Sequence, residues 1–320
     1  MTDALDRRSL GRGLSAATDA SVAEVLEARG DDPLLRPHRG HRLGITGPPG
    51  VGKSTLVGAL AGERLSDGRR IGIIAIDPTS PHSGGSILGD RIRIDAAGDN
   101  ERLYLRSVPS RLAGDGLTDN LPDLVSALER EPFDEVWVET VGVGQVAYGV
   151  RRCVDTLIVL VQPGSGDTVQ AMKAGILEVG DVYVVTRADR PGAEHTAAEL
   201  EATLAFAAAS DWRPPVLLTA APSGDGVGEL SEAIDAHRHH LDESGGVDRL
   251  GPDQARYDVE RLLHRRVRQL VGESDPGAGG ATLASVYQSV VKRLAGELPR
   301  VELPTEDYEP TDQESQRRGS

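Results

Sequence analysis

The sequence predicts an α/β fold, a mainly parallel sheet flanked by helices, with helical extensions at its N- and C-terminal ends. Two observations predict it. From Leu43 to Leu218, short apolar strand-like runs alternate with helical patterns, as a parallel sheet buried between two helical layers requires. The first run, Leu43-Gly44-Ile45-Thr46, feeds a glycine-rich turn that opens into a helix at Lys53. Within that turn Gly47 to Ser54 fits G-x-x-x-x-G-K-[ST], the phosphate-cradling P-loop, so the fold is that of a P-loop NTPase. Glycines let successive N–H groups face one concavity, and the helix start adds its positive dipole end.

Residues 1–42 read as an N-terminal helical extension, polar and irregular apart from one helix over Ser21–Glu27 capped by Asp19 or Ser21. Residues 43–245 form the P-loop domain. Its expected strands are Leu43–Thr46, Ile71–Ile76, Leu103–Leu105, Glu135–Glu139, Thr156–Val161, Val182–Thr186 and Val216–Leu218. Helices are expected to begin at Lys53, near Leu117, and at Gln145, Thr168, Glu194 and Val227. Residues 246–298 form a C-terminal helical extension with helices over Ala255–Gly272 and Ala281–Glu297. The first gathers Val259, Leu262, Leu263, Val267, Leu270 and Val271 on one side, to pad the domain or make a subunit contact. Residues 299–320, polar and acidic, read as a disordered tail.

Composition narrows the functions available. Of 320 residues 38% are hydrophobic but only 3% aromatic, so the core is aliphatic. A net charge of −15 without a basic stretch excludes a nucleic-acid footprint. The single cysteine, Cys153, excludes an internal disulfide or a cysteine metal cluster and reads as a small core residue. No signal peptide or apolar run of membrane-spanning length is visible, so a soluble, cytoplasmic protein without membrane contact is expected. His237, His239 and His240 read as a solvated helix face rather than a metal site.

The motifs assemble a Mg²⁺-dependent guanine-nucleotide site. The loop contributes Gly47, Pro48, Pro49, Gly50, Val51, Gly52, Lys53, Ser54 and Thr55, with Lys53 on the β/γ-phosphates and the Ser54 hydroxyl on the metal. Asp77, closing the second strand, is a carboxylate that can order Mg²⁺. Ser83-Gly84-Gly85-Ser86-Ile87-Leu88-Gly89-Asp90-Arg91 reads as a first switch loop. Glu139-Thr140-Val141-Gly142-Val143 reads as a second, with Glu139 on the metal's water shell and the Gly142 N–H toward the γ-phosphate. Val143 stands where Ras-like GTPases carry a water-orienting glutamine, so hydrolysis by the isolated chain is expected to be slow. Thr186-Arg187-Ala188-Asp189 fits the guanine-reading pattern with Arg for Lys, its carboxylate accepting from the base. Thr219-Ala220-Ala221 fits the last guanine loop.

Together with Gly166-Asp167 and Lys173-Ala174-Gly175, these stretches closely resemble the MeaB/ArgK family over about residues 40–245. These are G-protein chaperones of adenosylcobalamin-dependent methylmalonyl-CoA mutase and related acyl-CoA mutases. The resemblance implies GTP hydrolysis coupled to cofactor loading and protection of the mutase, and a homodimer formed through helical extensions. It implies metal roles for Ser54, Asp77, Asp90 and Glu139, and a partner-sensing third switch around Asp167 and Lys173. Lys53, Glu139, Gly142, Asp167 and Lys173 are thus the expected catalytic set. Val146-Ala147 depart from the family's usual Ser-Glu after Gln145. The alternative, a metallochaperone GTPase for metal-enzyme maturation, calls for a Cys/His cluster that the single cysteine disfavours.

Overall fold

In the computed structural model, residues 5–29, 40–77, 100–110, 117–140, 142, 145–164, 179–206, 211–274 and 282–297 are described. Seven strands, β1 (His41–Thr46), β2 (Ile71–Asp77), β3 (Leu103–Pro109), β4 (Glu135–Thr140), β5 (Thr156–Val161), β6 (Val182–Thr186) and β7 (Val216–Thr219), form one sheet. Its order is β3-β2-β4-β1-β5-β6-β7, and every pairing is parallel. All seven expected strands are present. The main difference is β3, which runs four residues past Leu105, where half-buried Arg106 and Ser107 break the apolar pattern.

The helices are α1 (Arg7–Asp19), α2 (Val22–Arg29), α3 (Lys53–Ser66), α4 (Leu121–Glu129), α5 (Gln145–Arg151), α6 (Ala193–Leu204), α7 (Val227–Ser244), α8 (Gly246–Glu273) and α9 (Leu283–Glu297). One buried cluster joins α1, α4, α5 and α6 to one face of the sheet. The other joins α3 and α7 to the opposite face through Leu56, Leu60, Leu230 and Ile234. Strands β2, β4, β5 and β6 are buried at every position, which explains why their apolar residues do not alternate with exposed polar ones. Among the described residues no helix is long and apolar enough to cross a membrane.

Three helix expectations are corrected. The N-terminal segment holds a second helix, α1, whose Gly11 and Gly13 mask its helical character. Asp6 caps it by accepting from the Arg8 and Ser9 N–H groups, and it buries Leu10 and Leu14. The neighbouring α2 is capped by Ser21, whose N–H donates to Glu24 (2.7 Å) in a capping box. The second correction concerns α8, which starts nine residues before Ala255 and includes Pro252. Its N-terminal part also faces the other way: Gln254, Tyr257 and Arg261 are buried, whereas Val259 and Leu263 are exposed. Third, α4 begins at Leu121, later than Leu117, with a proline in its first turn.

Residues to His264 form one compact unit and those from Arg265 a second. Within the first, ion pairs close the end of the sheet opposite the P-loop. Arg64, fully buried, pairs with Glu135 at 2.5 Å and Asp235 at 2.9 Å, and the Trp137 indole also donates to Glu135. Nearby, His237 is buried rather than solvated, correcting its sequence reading; His239 is exposed. The His237 ring packs against Trp212 at a tilt of 58° and shares the Thr156 hydroxyl with His41. Cys153 is a core residue as expected, and burial pushes its thiol up to about 12. In the second unit Leu270 and Val290 are buried, while Val267, Val271, Leu283, Tyr287 and Val291 are exposed.

Candidate nucleotide site

The site is built at the carboxyl ends of the strands, where open α/β sheets place ligands. β1 ends at Thr46, and the chain turns through Gly50 (φ 72°) and Gly52 (φ 103°) into α3. Both lie in the left-handed region that glycine tolerates. Gly47 is needed for a different reason: a Cβ there would stand 2.9 Å from the Leu160 carbonyl oxygen and Cβ. Lys53 and Ser54 open α3 and are buried. The Lys53 ammonium donates to the carbonyls of Gly47 and Pro48, both at 2.8 Å. It is thus held on the loop it would leave for a phosphate.

Register explains the next contact. Glu139 on β4 lies level with Ile45 of β1 and Ala75 of β2, and Asp77 closes β2 one strand away. The Ser54 hydroxyl donates to Glu139 Oε1 at 3.1 Å, and Asp77 is also buried. A hydroxyl beside a buried carboxylate, with a second carboxylate on the adjoining strand end, is a hard-oxygen donor set that fits Mg²⁺. Gly142 (φ 130°) is joined to the P-loop: its N–H donates to the Gly47 carbonyl at 3.2 Å, and its own carbonyl accepts from Thr46 at 2.7 Å. A γ-phosphate contact by that N–H therefore requires the bond to Gly47 to open.

A family model described as methylmalonyl-CoA mutase-associated GTPase MeaB matches residues 15–275. The chain belongs to the MeaB family. A GTPase-named protein of Pyrococcus horikoshii is 40% identical over 249 residues, 75% of this chain and 76% of that one. A Mycobacterium tuberculosis relative, also named a GTPase, is 39% identical over 221 residues, 67% of this chain and 65% of its own. The mouse protein named methylmalonic aciduria type A homolog, mitochondrial, is 34% identical over 209 residues, 64% of this chain and half of that one. A crystal structure of a LAO/AO transport system kinase, at 23% identity and a TM-score of 0.58, covers 91% of this chain and 99% of its own. That likeness supports the fold.

In this MeaB-family chain the expected base-reading residues lie on the loops after β6 and β7. Thr186 is buried, and its hydroxyl lies within reach of two carbonyls, those of Val51 (2.7 Å) and Val161 (3.0 Å), to one of which its single hydrogen donates. Arg187, with φ 55°, donates to the Gly50 carbonyl and to Gln162 Oε1 (2.9 Å). The Ala188 N–H donates to the Thr219 carbonyl, and Asp189 is exposed at the open end. The Ala220 N–H is taken by the Asp225 carbonyl, and half-buried Ala221 follows it in the same turn. Sequence reasoning missed Gln162, because a lone glutamine beyond a strand carries no signal. Asp90, Val143, Asp167, Lys173 and the helix expected at Thr168 lie outside the described residues.

Proposed function

We propose that this GTPase is a chaperone of an adenosylcobalamin-dependent acyl-CoA mutase of the methylmalonyl-CoA type, coupling GTP hydrolysis to cofactor loading and protection of the mutase. The observation that carries this reading is the buried Lys53 and Ser54–Glu139 constellation in a chain of a mutase-associated GTPase family. Asp189, beyond β6, accepts the guanine N–H donors. The P-loop N–H groups and Lys53 take the phosphates, and Lys53 offsets charge developing on the transferred group. Ser54, Asp77, Asp90 and Glu139 are the residues that would hold Mg²⁺. When bound, the ion supplies further neutralisation of phosphate charge.

Closing onto the γ-phosphate moves the Gly142 N–H from the Gly47 carbonyl to the nucleotide. With Val143 unable to orient water, turnover depends on what the partner stabilises, and Asp167 and Lys173 report nucleotide state to it. The exposed apolar residues of α8 and α9 support a homodimer through the C-terminal extension; the two sets, Val259 with Leu263 and Leu283 with Tyr287, each recur every four residues. Calorimetry with GTP and ATP, followed by capture of the mutase in the presence of GTP or GDP, tests the reading. Preference for GTP and nucleotide-dependent capture are expected. Equal affinities, or capture indifferent to nucleotide, contradict it.

A further inference from the structure

We infer that the N-terminal extension and α4 form a binding site for a small organic cation, an apolar body ending in an ammonium group. A cavity of about 630 Å³ opens between α1, α2 and α4, within the size range of small-molecule sites. Helical periodicity explains its walls. On α1, Gly13, Ala16, Ala17 and Ala20 recur every three or four residues and so line one side. Ala28 of α2 and Ala127 of α4 add two more small side chains. Side chains of this size fill little of the space between three helix backbones, which leaves room for a slender or flat ligand body. Leu10 and Val25, both buried, make the inner surface apolar.

A stripe of small residues marks only a close approach of helices, and Ser126 of α4 supplies the second observation. It lines the cavity at 8% exposure, yet its hydroxyl has no hydrogen-bond partner among the described residues. A buried hydroxyl costs free energy unless it is bonded, so this one points to a polar group that a ligand brings. Charge then sets the sign of that ligand. Asp123, in the same wall, is already answered by Arg29 at 2.8 Å, and Arg29 also lies 3.6 Å from Asp258. At the rim three carboxylates, of Asp19, Glu24 and Glu131, stand against one guanidinium, that of Arg130. Half-buried Glu131 pairs with no cation among the described residues. An ammonium can donate to that carboxylate or to the Ser126 hydroxyl oxygen inside, whereas an anion would meet like charge. None of these residues belongs to the nucleotide site. A bound ligand touches α1, α2 and α4 together and so braces the N-terminal extension on the domain.

Calorimetry with three matched probes tests the site: phenylbutylamine, cationic at neutral pH, its neutral twin phenylbutanol and its anionic twin phenylbutyrate. The wild type should bind one amine per chain with Kd below about 1 mM, and the alcohol more weakly. The acid should bind at least about tenfold more weakly than the amine, and added salt should narrow that gap because the rim is exposed. Glu131→Gln should bring the amine close to the alcohol. Ser126→Ala should weaken the amine by about 3–10-fold, the contribution of one hydrogen bond. Ala16→Leu with Ala28→Leu, two exposed positions where helix propensity barely changes, should fill the cavity and abolish binding. Thermal melting and GTP affinity, both expected to match the wild type, show that each variant is folded. No saturable binding of the amine to the wild type, or binding unchanged by Ala16→Leu with Ala28→Leu, overturns the site. Equal affinity for amine and acid overturns the cationic ligand, and unchanged affinity in Ser126→Ala overturns the buried contact.

Discussion

Replacing His41 by glutamine should flatten the acid limb of the stability curve. His41 Nε2 lies 2.8 Å from Thr156 Oγ1, which lies 2.7 Å from His237 Nδ1. One hydroxyl carries one hydrogen, so it can donate to only one of the two rings. Asp181 Oδ1, 3.5 Å from His237 Nε2, places a proton on that nitrogen and leaves Nδ1 to accept from Thr156. His41 Nε2–H then donates to Thr156, and His41 Nδ1, which is buried without a partner, is bare. Protonating His41 would bury an N–H at Nδ1 with no acceptor, and protonating His237 would take the nitrogen that accepts from Thr156. Burial accordingly lowers His41 to about 4 and His237 to about 3, with Arg64, Arg151 and Arg238 adding to it and Asp155 and Glu135 opposing it.

The sign follows from linkage. A base whose folded value is depressed contributes stability that is fully present above its unfolded value, near 6.5, and is lost as pH falls toward the folded value. Between about pH 7.5 and 5.5 the unfolded chain gains roughly a proton per histidine, so each site weakens folding by about tenfold, or about 1.4 kcal/mol. Asp181 and Asp258, both raised to about 6 by burial, act in the opposite direction but are present in both proteins. Glutamine keeps the donor to Thr156 and cannot titrate. Urea unfolding at the two pH values should therefore show the wild type losing about 1.4 kcal/mol more than His41→Gln. Equal losses would mean that His41 is protonated in the folded protein, and the tautomer chain would be wrong.

Lys53→Ala should lower GTP turnover by about 10²–10³-fold in a phosphate-release assay, and near-normal rates would remove the P-loop from the chemistry. Ser54→Ala should chiefly abolish the Mg²⁺ dependence of nucleotide binding, measured by titration with and without chelator. Asp189→Asn should weaken GTP and improve xanthosine triphosphate, since the amide can donate to the new carbonyl; unchanged selectivity would dismiss Asp189 as the base reader. Arg64→Ala should destabilise the fold by up to about 3–5 kcal/mol in denaturant unfolding, because buried Glu135 then keeps only the half-buried Arg69 (2.9 Å) and the Trp137 indole as partners; a loss within about 0.5 kcal/mol would show that Arg69 alone compensates it.

The local parts of the fold and site were legible, and the cross-chain parts were not. Lys53 and Ser54 belong to a contiguous motif, and Glu139 follows from its place at a strand end beside the P-loop. The Arg187 bonds to Gly50 and Gln162 join residues 137 and 25 positions apart, and none of the three looks unusual in its own stretch. Helix α1 was hidden by two glycines that its capping Asp6 and buried leucines outweigh. In α8 the apolar periodicity was real, but Gln254, Tyr257 and Arg261 occupy the inward side. An amphipathic pattern identifies a helix without saying which face the domain covers, and here arginine stems and a tyrosine ring fill the inner face.

GTP turnover measured against increasing concentrations of a purified adenosylcobalamin-dependent acyl-CoA mutase tests the chaperone role most directly. The chain alone should turn over slowly, and the rate should rise to a plateau with mutase. Asp167→Ala and Lys173→Ala should keep the basal rate and nucleotide affinity but lose most of that rise. A rate indifferent to the mutase across the titration would contradict the assignment of this GTPase as the mutase's chaperone.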